Sequence, residues 1–148
     1  MINMRHKGHE CNCRAVAVSD DGGAHFGATT FAADLVSPVC QASIARIHSV
    51  LYFANPASRW LRVHGQIKAS RDDGVSWAAL VTLTPNGLLG SFDYSSLVQD
   101  ALALEPDSGG LLWSRNTLPL ISALGPVPIG PWKMYFTRFK LAAPVTQL

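Results

Sequence analysis

From Arg62 to Ala69 polar and apolar residues alternate, with Val63, Gly65, Ile67 and Ala69 on one side and Arg62, His64, Gln66 and Lys68 on the other. A period of two is the mark of a strand with one covered face. A polar run, Ser70-Arg71-Asp72-Asp73-Gly74, follows and lands on Trp77, after which Trp77 to Leu83 reads as a second apolar strand. The run has the form S-x-D-x-G-x-x-W, and its fixed positions have mechanical reasons. Asp72 accepts hydrogen bonds from nearby backbone N–H groups, Gly74 takes positive φ, and Trp77 lies beneath the turn as an apolar plug.

The rest of the chain reads in the same way. Arg14 to Ser19, Phe26 to Val36, Cys40 to His48 and Val50 to Ala54 are β-prone runs, punctuated by Ser37-Pro38 and Asn55-Pro56-Ala57-Ser58. Tyr94 to Leu102, Leu111 to Trp113 and Lys133 to Leu141 follow. In the last, Met134, Phe136 and Arg138 alternate against Tyr135, Thr137 and Phe139. Together these predict about nine strands and no helix. The longest uncharged segment, Asn116 to Trp132, holds Pro119, Pro126, Pro128 and Pro131, so it reads as a loop and not as a membrane span.

The turn pattern occurs twice. Ser19-Asp20-Asp21-Gly22-Gly23-Ala24-His25-Phe26 reads S-x-D-x-G-x-x-F, and Ser19 precedes Ser70 by 51 positions. That interval is about the length of one four-stranded propeller blade. Two such turns, each after an apolar strand, predict a β-propeller with Phe26 and Trp77 packed beneath them. The strand count fills two to three blades, whereas closed propellers have about four or more. Part of the ring is therefore expected to be absent, or to be supplied by another chain.

Composition sharpens this. With 148 residues, 48% hydrophobic and 15% charged, the chain reads as one core-rich domain over 1–148. A net charge of +2 without a Lys/Arg run argues against nucleic-acid binding. Arg5, His6 and Lys7 follow Met1 with no apolar stretch, so no signal peptide is expected if the chain begins here, and no compartment is assigned. Three cysteines cannot all pair, which argues against a disulfide framework and favours a reducing environment.

Three side chains are candidates for chemistry: Arg14, Arg62 and Tyr94. Arg14 and Arg62 stand near the start of the strands that run into the two turns, and so at the opposite rim. Two guanidinium groups aimed at one point suit a carboxylate, although each position also fits a solvated strand arginine, and Tyr94 a half-buried strand tyrosine. His6, His9, Cys11 and Cys13 are zinc-ligand types, but H-x2-H-x-C-x-C lacks the C-x2-4-C knuckle, and no metal or other cofactor is expected.

Several stretches, taken in order and spacing, carry a resemblance. They are Cys13-Arg14-Ala15-Val16-Ala17-Val18-Ser19-Asp20-Asp21-Gly22-Gly23, Pro38-Val39-Cys40-Gln41-Ala42-Ser43, and Asn55-Pro56 with Trp60 and Arg62. The turn at Ser70, Tyr94-Ser95-Ser96-Leu97, Gly110-Leu111-Leu112-Trp113 and Phe136-Thr137-Arg138-Phe139 continue it. The chain resembles the C-terminal half of an exo-α-sialidase (neuraminidase), and the likeness runs almost end to end.

The resemblance implies an all-β fold, part of a six-bladed propeller of about three blades. It makes the turns Asp boxes, hairpin staples without chemistry, formed by Ser19, Asp21, Gly23 and Phe26 and by Ser70, Asp72, Gly74 and Trp77. It implies retaining hydrolysis of terminal α-linked sialic acids, with sialylated glycans as partners. Arg14 and Arg62 match the second and third arginines that grip the sialic acid carboxylate, and Tyr94 matches the nucleophile. A tyrosine suits an anomeric carbon that bears its own carboxylate, because an Asp or Glu nucleophile would be repelled.

The departures are equally specific. The family's first arginine, its aspartate acid/base and the glutamate that activates the tyrosine have no counterpart, and Glu10 comes too late to match. Ser114 stands where the family carries a glutamate that braces the first arginine, and Asn116 to Trp132 replaces a short turn. The chain alone is therefore expected to be inactive. A non-catalytic sialoside-binding or assembly module, and a decayed truncated product, are the alternatives.

Overall fold

The computed structural model describes residues 1–8, 11–83, 91–99, 107–115 and 132–142. Ten strands run in chain order: β1 (Ile2–Met4), β2 (Cys13–Ala17), β3 (Thr30–Val36), β4 (Ser43–Ile47), β5 (Val50–Pro56), β6 (Gly65–Ser70), β7 (Ala78–Thr82), β8 (Ser95–Gln99), β9 (Ser108–Arg115) and β10 (Lys133–Lys140). They form three antiparallel sheets, β1-β2-β3, β4-β5-β6-β7 and β10-β9-β8, and the described residues contain no helix. This is the architecture of a partial β-propeller. Among the described residues no helix is long and apolar enough to cross a membrane. The strand absent from the sequence reading is β1, too short to show a period, which pairs with β2 at Ile2↔Ala17 and Met4↔Ala15.

Burial grades across each sheet. All seven residues of β5 are buried, as are five of the six in β6, whereas β7 is mostly exposed. A strand covered on both faces needs a continuous apolar run, and Val-Leu-Tyr-Phe-Ala supplies it in β5. In β10 the inward side is Tyr135, Thr137 and Phe139, with Met134, Phe136 and Arg138 turned out. The outward Met134 and Phe136 join Val98 and Leu112 in an exposed apolar patch on the face of the β8–β10 sheet.

The core lies between the four-stranded sheet and the β8–β10 sheet. Ile47, Val50, Tyr52, Ala54 and Ile67 meet Phe92, Leu97, Leu111, Trp113 and Phe139. Trp113 is sandwiched between Phe92, at 5.2 Å, and Tyr135, at 4.7 Å, and Tyr52 tilts against Phe139 at 5.7 Å. The seam to the β1–β3 sheet is more polar. Lys68 is buried and donates through Nζ to the Asp34 carbonyl, and Asn55 Nδ2 donates to the Val36 carbonyl at 2.7 Å. Burial lowers the Lys68 ammonium below its ordinary pKa.

The two S-x-D-x-G turns share one hydrogen-bond plan. Ser19 Oγ accepts from the Gly23 N–H at 2.8 Å and donates to Asp21 Oδ1 at 2.7 Å, and Asp21 Oδ1 accepts from the His25 N–H at 3.0 Å. Ser70 Oγ likewise accepts from Gly74 at 2.8 Å and donates to Asp72 Oδ1 at 2.7 Å, with the Ser76 N–H on Asp72 at 2.9 Å. Gly23 and Gly74 take φ of 97° and 93°, where a side chain is strained. The hydrogen bonds pull both carboxyls down to about 2. For Asp21 the backbone of His25 leads, then the Ser19 hydroxyl; for Asp72 the Ser76 hydroxyl leads, then its backbone.

The aromatics differ. Trp77 is half-buried, donates from Nε1 to the Gly74 carbonyl at 3.2 Å, and meets Phe53 edge-on at 5.8 Å. Phe26 does not lie beneath its turn and is 43% exposed. The strand that flanks β2 as β5 flanks β6 is β1, three residues long and at the sheet's edge, and it offers no counterpart to Phe53.

Cys11 and Cys13 form a disulfide, Cα atoms 5.2 Å apart, and Cys40 is a buried free thiol. This corrects the expectation of reduced cysteines: parity forbids three from pairing but leaves two free to do so. The sulfurs of the H-x2-H-x-C-x-C run are thereby engaged with each other, while His9 and Glu10 lie outside the described residues.

Candidate functional site

The hairpins place their turns and their open ends at opposite rims. The β2–β3, β4–β5 and β6–β7 turns share one rim. Arg14 near the start of β2, Cys40 and Gln41 ahead of β4, Arg62 ahead of β6 and Tyr94 ahead of β8 share the other. Arg62 is not within a strand, as the alternating pattern predicted, but in the loop before Gly65. There the Ala57 N–H donates to the His64 carbonyl at 2.9 Å, His64 takes φ of 56°, and the Phe92 N–H donates to the Arg62 carbonyl at 2.7 Å.

Tyr94 is held by its backbone. Its N–H donates to Ser114 Oγ at 3.1 Å, and its carbonyl accepts from the Ser114 N–H at 2.9 Å. The ring is left 53% exposed, with the Arg62 guanidinium 5.7 Å over its centroid. Among the described residues nothing hydrogen-bonds the Tyr94 hydroxyl. Ser114, which stands where a glutamate was expected, therefore anchors the Tyr94 main chain.

Asp93 is 1% exposed, and its carboxylate lies 3.5 Å from Arg62 Nη1. Oδ2 accepts from the Ser91 hydroxyl, the Asp93 N–H donates to the Ser114 carbonyl at 3.0 Å, and its carbonyl accepts from the Cys40 thiol at 3.2 Å. Burial pushes the Cys40 thiol up to about 11, with Arg62 opposing and Asp93 adding to the shift. Val39 reaches φ of 56°, rare for a β-branched residue, where the chain turns to offer the Cys40 carbonyl to Arg14.

Arg14 lies deeper, 3% exposed, with its guanidinium 5.8 Å over the Phe53 ring. A bulge between Cys13 and Arg14 breaks the β2–β3 register and re-aims this side chain. Nε donates to Asn3 Oδ1 at 2.6 Å, Nη2 to the Asn3 carbonyl at 3.4 Å, and Nη1 to the Cys40 carbonyl at 2.7 Å. Asn3 thus occupies both nitrogens of the Nε/Nη2 fork. Burial pulls the group down to about 10, which leaves it charged at neutral pH.

Of the three candidates, Arg62 and Tyr94 are in contact, and Arg14 joins them through Cys40 and Asp93 without sharing their exposed surface. The sequence marks Asp93 only as a fallback acid beside Glu10 and Asp100, and gives Asn3, Cys40 and Gln41 no place at the site. An acid between two aromatics, Phe92-Asp93-Tyr94, was the one visible signal. Arg62 faces the buried Asp93 carboxylate, whereas Arg14 is bound by the neutral groups of Asn3 and Cys40, which leaves positive charge at this rim, suited to an anion.

The sequence matches no protein-family model. It is similar to a sialidase from Micromonospora viridifaciens, 38% identical over 114 residues that cover 70% of this chain. The match covers 16% of that protein, so the chain spans a small part of its relative's length. The likeness supports a sialidase-related family and agrees with the partial β-propeller.

Proposed function

We propose that this chain is part of a sialidase-type propeller whose rim holds the carboxylate of a terminal sialic acid through Arg62 and presents Tyr94 to the anomeric carbon. The observation that carries this reading is the Arg62 guanidinium lying 5.7 Å over the exposed Tyr94 ring. Arg14 adds positive charge from beneath while Asn3 occupies its fork. The S-x-D-x-G turns act as Asp boxes on the far rim, and further blades, from the same polypeptide or from another chain, complete the ring.

In the reaction so read, Tyr94 Oη bonds to the anomeric carbon as the aglycone oxygen leaves with a proton. Water then cleaves the tyrosyl–sialyl bond with net retention. A phenol attacks well only as it loses its proton, so it needs a base, and the leaving oxygen needs an acid. Neither contacts Tyr94 among the described residues. Asp93 is turned to Arg62 and Ser91, and Asp100 lies outside the described residues. Each proton transfer contributes about 10²–10⁴-fold, so the chain alone hydrolyses a fluorogenic sialoside orders of magnitude more slowly than an intact sialidase. Turnover of several per second on the purified chain, lost in Tyr94→Phe, would show that substitute groups exist.

The Tyr94 hydroxyl, without a hydrogen-bond partner among the described residues, favours a second reading, a sialoside-binding or assembly module without catalysis. N-acetylneuraminic acid binding that is abolished in Arg62→Ala, with no turnover, selects it. Neither binding nor turnover selects a decayed product.

A further inference from the structure

We infer that Asp93 is a positioning residue that holds the Arg62 guanidinium over the Tyr94 ring, leaving the outward nitrogens of Arg62 to take the carboxylate of an acidic sugar. The inference rests on the proposed role of Arg62. A ring contact fixes the plane of a guanidinium but not its rotation within that plane, and an arginine side chain has many rotamers to lose. A second, charged contact removes that freedom. The Arg62 Nη1 to Asp93 Oδ1 pair at 3.5 Å is that contact. Among the described residues, Nε and Nη2 of Arg62 have no protein acceptor.

Asp93 is itself a fixed post. Its carboxylate takes the Ser91 hydroxyl, its N–H binds the Ser114 carbonyl, and its own carbonyl takes the Cys40 thiol. Ser114 also binds the Tyr94 backbone at both its N–H and its carbonyl. One rigid unit therefore sets the acid, the ring and, through the Phe92 N–H, the backbone of Arg62. The Asp93 side chain makes no hydrogen bond to the Tyr94 hydroxyl, so it acts through Arg62 and not on the phenol.

The test uses the full chain, with N-acetylneuraminic acid and its methyl ester as probes and the Nε–Hε resonance of Arg62, assigned with Arg62→Lys, as a second readout. In the unsubstituted protein the Tyr94 ring current moves this resonance upfield. Asp93→Ala returns it to its position in Tyr94→Leu, and Asp93→Asn, which keeps the volume and one acceptor, returns it part of the way. Affinity for the free acid falls about tenfold in Asp93→Ala, as expected for loss of one charge-assisted contact. It does not fall further when Arg62 is already alanine, and ester binding is unchanged.

An unmoved Arg62 resonance in folded Asp93→Ala, or an equal loss of affinity in the Arg62→Ala background, overturns the inference. If Asp93→Ala does not fold, Asp93→Asn decides: an unchanged resonance and affinity overturn it, and partial loss of both supports it. If the unsubstituted protein binds no sialic acid, the sialoside reading fails, while the resonance still decides whether Asp93 positions Arg62.

Discussion

Gln41 and Ser95 hold each other by both hydrogen-bonding ends. The Ser95 N–H donates to Gln41 Oε1 at 2.8 Å, and Gln41 Nε2 donates to the Ser95 carbonyl at 2.9 Å. A side-chain amide thus imitates one rung of a ladder, between two sheets that have no backbone pairing with each other. Ser43 Oγ accepts from the Leu97 N–H at 2.9 Å, and Ser95 Oγ donates to the Ala54 carbonyl at 3.2 Å, extending the seam.

Gln41→Ala strands both backbone groups of Ser95. An unsatisfied buried polar group costs about 1–3 kcal/mol, so the variant loses about 2 kcal/mol or more in urea unfolding. Gln41→Glu keeps the acceptor and falls between. Unchanged stability in Gln41→Ala would mean that apolar packing alone joins the sheets.

Gly65 is the point of closest approach beneath the site. A Cβ there would sit 2.3 Å from Phe92 Cδ2, against a ring that is wholly buried. Gly65→Ala therefore destabilises by about 1–3 kcal/mol, the usual penalty of overpacking. Because Phe92 binds Arg62 through its backbone, the variant also displaces Arg62. Adding Phe92→Leu makes room and restores part of the stability, which thermal unfolding of the two variants would measure.

Acid acts on the turns. Asp21 and Asp72 are held at about 2 in the folded chain, below the unperturbed value of about 3.9. Their stabilisation is complete above the unfolded value and is lost as pH falls from about 4 to 2. Asp21→Asn with Asp72→Asn flattens the stability profile in that window and leaves its shape near neutrality alone. An unaltered acid limb would place the sensitivity in other carboxylates.

Met134, Phe136, Val98 and Leu112 make one exposed apolar surface, and such a surface favours association. The purified chain is expected to elute from size exclusion above its 15.9 kDa mass. Met134→Lys with Phe136→Lys shifts elution toward the monomer. A sharp monomer peak without the substitutions would contradict this.

The strands were legible because their periods are local. The alternation in β10 and the apolar run of β5 state which faces are covered, and the two turns repeat one pattern at a blade's interval. The site was legible only in part. Arg62 and Tyr94 stood out by spacing and resemblance, but Arg14's buried fork depends on Asn3, which reaches it through a three-residue strand with no period to read. Asp93 looked like a spare acid in the sequence. Its partner Arg62 lies 31 positions away, and only the folded chain brings them together. Phe26 departs from expectation for a related reason, since a motif specifies its own hydrogen bonds but not whether the neighbouring strand is long and buried enough to cover its aromatic.

The seam between the sheets has a consequence for the order in which the molecule assembles. Hairpins such as β4–β5 close over a few residues, whereas Gln41 meets Ser95 across 54 positions and Cys40 meets Asp93 across 53. Contacts between distant parts of the chain carry the larger loop-closure entropy and slow folding. Individual hairpins can therefore form while the rim that holds Arg62, Asp93 and Tyr94 is still unmade. The sheets are thus expected to form before the site and to outlast it in unfolding. A marginally destabilised variant would keep its far-ultraviolet dichroism while Ser95 and Leu97 amides exchange with solvent, so binding is a stricter gauge of nativeness here than secondary structure.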